Sequence, residues 1–185
     1  MCRYPYKKVI LTSYESTFAA SWGRKVRDII EETGMKYDVF LSKSSKSISD
    51  FSIEHYAGSM NCLGAGGAIT GRGADLIIID DPVKNDAEAN SATIRENIWD
   101  WYRSTIYTRL EPGGNIIIIM TRWHNDDLCG RIINSDDYSN WNHIVIPALA
   151  NDNDILQRSQ GEALWKERYN VSKLHQIKNT IGSFW

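Results

Sequence analysis

The stretch that most constrains this chain is Leu76-Ile77-Ile78-Ile79-Asp80-Asp81-Pro82. Four consecutive bulky apolar residues with no helical spacing predict a strand buried on both faces, as in the interior of a parallel sheet. Two carboxylates then emerge at its carboxyl end, where open α/β sheets bind their ligands. A second such run, residues 116–120 (IIIIM), ends in Thr121-Arg122-Trp123-His124-Asn125-Asp126-Asp127. Between the two runs, residues 93–110 carry Ile94, Ile98, Trp101 and Ile106 as an apolar stripe, which predicts a helix. Strand, helix and strand together predict that 76–79 and 116–120 lie parallel and adjacent, with Asp80 and Thr121 at one sheet edge.

The rest of the chain continues the alternation. Residues 8–13 (KVILTS) predict a first strand, and 15–33 a helix with Phe18, Trp22, Val26, Ile29 and Ile30 on one face. Gly34 is expected to end that helix with a positive φ. Strands are expected at 37–41, 53–56 and 143–146, and the serine- and lysine-rich residues 42–50 read as a solvated loop. Thr93 with Glu96 has the form of a capping box, and Pro112-Gly113-Gly114 should stop the helix that it opens. Asp126-Asp127 should cap a helix that begins at Leu128. Residues 62–73 (CLGAGGAITGRG) include five glycines, so the segment is mobile or its backbone approaches something closely. Of Trp99 and Trp101, two apart on the predicted helix, one should be core and the other surface. The expected architecture is a single α/β domain over residues 1–185, with a mostly parallel sheet and crossover helices.

Composition excludes several classes. A net charge of -2 gives no global basic field. Three cysteines, widely spaced, suit a reducing compartment and not a disulfide scaffold. No apolar run approaches the ~20 residues of a membrane span, and the N-terminus lacks a signal-peptide core, so a cytosolic protein is expected. His124 and Cys129 lack the two further ligands that zinc would need.

An interior strand that ends in paired acids has the Walker B pattern, in which the first acid helps to hold Mg²⁺ and the second polarises an attacking water. An acidic turn initiated by Asp-Pro is the plain alternative. In motors of the additional-strand type the neighbouring strand ends in a polar residue that senses the γ-phosphate, and Thr121 stands there. The segments GADLIIIDDPVK, ENIWDWYRSTIYTRLEPGG and IIIIMTRWHNDDLCGRI, in this order, resemble the large terminase subunits of tailed phages. So do KVILTSYESTFAASWGRKVRDIIEE before them and GEALWKERYNVSKLHQIKNTIGSFW after them. The resemblance implies a three-layer P-loop NTPase fold of RecA-like type. It gives Asp80 the role of Mg²⁺-coordinating acid and Asp81 that of catalytic acid. Thr121 falls in the segment that couples ATP state to motion, together with Arg122, Trp123 and His124. Arg72 becomes the candidate arginine finger, reaching a neighbouring subunit's ATP. ATP and Mg²⁺ are the implied cofactors. Double-stranded DNA, a portal protein, a small terminase subunit and further copies of the chain are the implied partners. The implied setting is the cytoplasm of a bacterial host, with a phage or prophage gene.

One departure matters. No G-x-x-x-x-G-K-[ST] occurs, and the glycines of 64–73 are not followed by Lys-Ser/Thr, so they are no phosphate cradle. The fold is therefore expected to be incomplete at its N-terminus and to lack the family's C-terminal nuclease, with no tightly bound nucleotide and negligible ATPase activity alone. A strand bearing the cradle would lie beside 116–120, so without it that strand should be a bare edge, prone to self-association or filled by another segment. Arg72, between Gly71 and Gly73, is expected to be unrestrained. Two other readings are a non-catalytic prophage remnant and a Mg²⁺-dependent nuclease using Asp80, Asp81 and Asp126.

Overall fold

In the computed structural model, which describes residues 1–69 and 71–182, residues 76–79 and 116–119 lie in adjacent parallel strands; Met120 falls just beyond the second, and Ile117 and Ile119 are exposed, so that run is not buried on both faces as expected. Contacts divide the chain into two units, Met1–Asn134 and Ser135–Trp185. The first contains β1 (Lys8–Ser13), α1 (Ser16–Thr33), β2 (Leu41–Lys46), β3 (Asp50–Ile53), β4 (Ser59–Gly64), β5 (Ala74–Asp80), α2 (Asp86–Asn90), α3 (Ala92–Trp101), β6 (Leu110–Ile119) and α4 (Leu128–Ile133). Its strands form one six-stranded sheet in the order β2-β3-β4-β1-β5-β6. From β4 to β6 every pair is parallel, whereas β2 and β3 join antiparallel. An α/β sheet with crossovers is thus what the sequence predicts, extended by an antiparallel flank that it does not.

One face of the sheet carries Leu11, Phe51, Ile53, Met60 and Cys62, which pack with Ala19 and Ile30 of α1. The buried side of α1 is Ala19, Ala20, Gly23 and Ile30, while Phe18, Trp22 and Ile29 are exposed. The expected face is therefore right at Val26 and Ile30, which pack on the core, and turned outward at Phe18, Trp22 and Ile29. The cause is close approach: a Cβ on Gly23 would lie 2.2 Å from the Ile48 carbonyl oxygen and 2.7 Å from Cys62 Sγ. Only the small-residue stripe fits against the sheet at that distance. Gly34 likewise has φ -60, not a positive value, and it is needed because a Cβ there would meet the Val39 carbonyl oxygen at 2.1 Å. The left-handed residue is Asp38, at φ 54.

Residues 34–37 form a 3₁₀ turn, and the expected strand at 37–41 begins only at Leu41. The supposed loop 42–50 is mostly β2 and the start of β3. As an outer antiparallel strand, β2 has little need of apolar residues, so apolar periodicity does not reveal it. The strand expected at 53–56 ends at Ile53, and β4 takes the first part of the glycine-rich stretch. α3 is capped by Ser91, whose side chain accepts from the Ile94 N–H, and not by a Thr93–Glu96 box. Trp101 is buried, as one of the two tryptophans had to be, while Trp99 stacks on Tyr102.

β4 and β5 both run parallel to β1, which lies between them, so their connection must return across β1 from one sheet end to the other. Among the described residues no helix makes this crossover; the glycine-rich segment does. The Ala65 N–H donates to the Ser13 carbonyl at 2.7 Å, and the Trp101 indole N–H donates to the Gly67 carbonyl at 3.0 Å. Glycine suits a strap whose backbone lies directly under an indole.

The second unit contains α5 (Val171–Ile181), capped by the Asn170 side chain, which accepts from the Lys173 N–H. Asp154 accepts from Arg158, whose guanidinium also donates to the Pro147 carbonyl at 2.9 Å. The strand expected at 143–146 does not form: Ile144, Val145 and Ile146 are exposed, and the six-stranded sheet does not include them. An apolar triplet becomes a strand only where a neighbour takes up its backbone hydrogen bonds.

Candidate functional site

β5 delivers Asp80 to the sheet edge level with Ser13 of β1 and Ile119 of β6. The chain turns there, with Asp81 in the left-handed region at φ 41. Three hydrogen bonds hold the turn. The Asp81 N–H donates to the Ile119 carbonyl at 2.9 Å, its carbonyl accepts from the Tyr14 N–H at 2.9 Å, and its Oδ1 accepts from the Thr121 N–H at 3.0 Å. Asp81 is thus fastened to the ends of both flanking strands. The sequence predicts Asp80 and Thr121 at one edge; all three residues do meet there, and it is Asp81 that bonds Thr121. Tyr14 carries no such signal, since a backbone donor leaves no mark on residue type.

The Asp80 carboxyl is pushed above the usual range, first by burial and then by the negative charge of Asp81. Beside it on β1, the Thr12 and Ser13 hydroxyls are buried and have no hydrogen-bond partner among the described residues. A cation placed at this edge would relieve the repulsion between the carboxylates. The donors are hard oxygens, and among the described residues no three His, Cys, Asp or Glu side chains gather into a complete metal cage. Two acids with open positions fit Mg²⁺ that takes its remaining ligands from water and nucleotide phosphates.

Beyond Thr121 the chain is tied down at nearly every residue. Arg122 donates to Asp127 at 2.6 Å, and His124 Nδ1 accepts from the Asp126 N–H at 2.9 Å. Asp127 caps α4 as expected, through Oδ1 and the Gly130 N–H at 2.8 Å. Asp126 does not cap. It accepts from Arg95 and Arg131, which hold its carboxyl far below the usual range, and Arg131 also reaches Glu96. Asp126 is therefore committed to joining α3 and α4, which removes the third acid of the nuclease reading. Burial pushes the Cys129 thiol up to about 11, so it is a poor metal ligand.

Arg72 is not brought to this edge. It precedes β5, whose six steps from Ala74 to Asp80 span about 20 Å. Nor is it unrestrained: its two terminal nitrogens donate to Asp50 Oδ1 and Oδ2 at 2.8 Å each, and one also donates to Asn61 Oδ1. Nothing in the sequence signals the pairing, because Asp50 lies twenty-two positions away on a strand that the sequence does not reveal.

Comparison with known proteins gives a family and a similar fold. The family model described as terminase large subunit, T4likevirus-type, N-terminal, matches residues 2–184. Among solved structures, the large terminase of bacteriophage HK97 is similar in fold, with a TM-score of 0.50 at 17% identity. That match covers 97% of this chain and 33% of the HK97 chain, so the present chain spans about a third of the solved terminase. No curated protein matches the chain. No helix among the described residues is long and apolar enough to cross a membrane. With the family model spanning almost every residue, the chain belongs to the terminase large subunit family.

Proposed function

We propose that this chain supplies the Walker B and coupling part of an ATP-driven motor that packages double-stranded viral DNA into a procapsid. The observation that carries the proposal is the edge where Asp80, Asp81 and Thr121 converge, with the second acid bonded to the strand end that follows it. Asp80 is positioned to hold Mg²⁺, which neutralises charge on the transferred phosphoryl group when bound with ATP. Asp81, one residue on and turned by its left-handed backbone, is positioned to orient the attacking water. Thr121 reports the state of that acid to the ion-paired segment between β6 and α4. Arg72, about a sheet's length from its own Asp80, serves a neighbouring subunit's nucleotide, which requires assembly of several copies. The partners of this reading are double-stranded DNA, a portal protein and a small terminase subunit, in the cytoplasm of a bacterial host.

These 185 residues include no G-x-x-x-x-G-K-[ST], so the polypeptide alone should hydrolyse ATP negligibly at any Mg²⁺ concentration. Joined to a terminase segment that carries a phosphate loop, it should turn over ATP, and Asp80→Ala should abolish this. Arg72→Ala should cut turnover by ~10³-fold while leaving ATP binding largely intact. Mixing Arg72→Ala with Asp81→Asn subunits should restore some activity wherever a working arginine meets a working acid. Turnover by the chain alone, abolished by Asp80→Ala, would show a cradle elsewhere and overturn this assignment of parts.

A further inference from the structure

We infer that Asp50 is a positioning residue that parks Arg72 on its own sheet and releases it only to a competing phosphate anion. The inference rests on the reading of Arg72 as a group that acts on a neighbour's nucleotide, and it adds the contact that withholds it.

The receptor is carried by paired strands, and the guest stands between two glycines. Asp50 and Asn61 face each other in register on β3 and β4, so the two acceptors are fixed by the ladder. Arg72 hangs from the glycine strap. Gly71 has φ +67, a backbone conformation that L side chains rarely adopt, and a Cβ there would meet nothing within 4 Å, so no packing holds the chain on this side of the arginine. Gly73, on its other side, lies close against the Glu111 side chain, where a Cβ would displace Oε1.

The pair is also weak enough to exchange. The Arg72 and Asp50 side chains are 48% and 39% exposed, and half-exposed ion pairs contribute little net stability. A cavity of about 290 Å³ opens beside them, lined by Lys8, Ser45, Ser52 and Ser59 as well as the pair itself. An anion can therefore reach the guanidinium while Asp50 still holds it. The bidentate geometry that suits a carboxylate suits phosphate oxygens equally. Asp50 thus occupies the arginine in the manner of a phosphate until a more highly charged anion displaces it.

The test uses the full chain and inorganic tripolyphosphate, with the Arg72 Nε–Hε resonance followed by NMR. Asp50→Asn should lower the half-saturating concentration at Arg72 about fivefold, because the competing carboxylate is gone. Asp50→Glu, which keeps the charge, should stay near the wild-type value. If Asp50→Asn fails to give a dispersed amide spectrum, Asn61→Ala serves instead and should lower the midpoint about twofold. Equal midpoints in wild type and the folded variant, or no response of Arg72 in either, overturn the inference. A shifted midpoint combined with full activity of Arg72→Ala in the rebuilt enzyme would keep the latch and reject the arginine's catalytic role, so the two failures are distinguishable.

Discussion

The Asp81 carboxylate accepts a hydrogen bond from the Thr121 backbone N–H at 3.0 Å, across forty residues of sequence. The bond joins the end of β5 to the first residues past β6, so a change of charge or orientation at the acid is felt directly by the segment that runs into α4. Its donor is backbone, so the contact does not depend on the threonine side chain, which is exposed.

Asp81 therefore combines two demands, an oxygen acceptor and a left-handed backbone at φ 41. Asn satisfies both, since its amide oxygen accepts and asparagine tolerates this region better than most residues. Asp81→Asn should remain within ~0.5 kcal/mol of wild type in urea unfolding, while Asp81→Ala should lose about 1–2 kcal/mol. Equal stability of the two variants would show that the Thr121 contact contributes nothing.

Asp80 should be a stability defect kept for binding. Its folded carboxyl titrates above the unfolded value, so the folded state holds more protons across that window and stability falls as pH rises through it. Asp80→Asn should raise Tm at pH 7 by about 1–2 °C, a small gain because the group is only partly buried. The difference should vanish below pH ~3, where wild type is protonated as well. A lower Tm for the variant at pH 7 would contradict the cause given for the shift.

Much of the sheet was legible in the sequence, and the reasons differ by element. β5 is readable because a strand between two neighbours must be continuously apolar, and β6 because its isoleucines form an unbroken run, although two of them are exposed on this end strand. The end of β5 was readable because its acids have no packing role. β2 was not, because an outer strand of serines and lysines has the composition of a loop. The face of α1 is legible only at Val26 and Ile30, because apolar spacing does not show where a glycine lets a helix approach. The Arg72–Asp50 pair was invisible for a related reason: it depends on a register between two strands that the sequence does not announce. At the site, the strands alone place Asp80 and Thr121 at one edge, while the Asp81–Thr121 and Tyr14 bonds that hold the turn use backbone donors, which residue type does not show.

The knot after Thr121 should be the most sensitive part of the first unit. Asp127 is buried, caps α4 through the Gly130 N–H and pairs with Arg122. Asp127→Ala should cost about 2 kcal/mol, a lost cap plus an orphaned donor. Gly130→Ala should also destabilise, because its Cβ would lie 1.8 Å from the Asn125 carbonyl oxygen, which the turn cannot yield without losing its geometry. Both effects can be read from urea midpoints. A wild-type midpoint for Gly130→Ala would mean that this turn relaxes freely and cannot act as a stiff link from Thr121 to α4.

β6 stands at the end of the strand order, and its residues Ile117 and Ile119 are 46% and 56% exposed. This matches the bare edge expected when no strand lies beside 116–120. Ile116–Ile118 and their neighbours carry no charge that would deter pairing, and an uncharged apolar edge templates association with another chain. Light scattering should show the mean mass rising over about a fiftyfold range of protein concentration. Ile117→Lys places a charge on the exposed face of the strand and should suppress the rise without unfolding the chain, since that side chain is already half in solvent. A segment that supplied a neighbouring strand along with the phosphate loop should suppress it as well. A constant monomer mass at every concentration would mean that the edge is protected by something other than charge, and that an end position in the strand order does not by itself drive association.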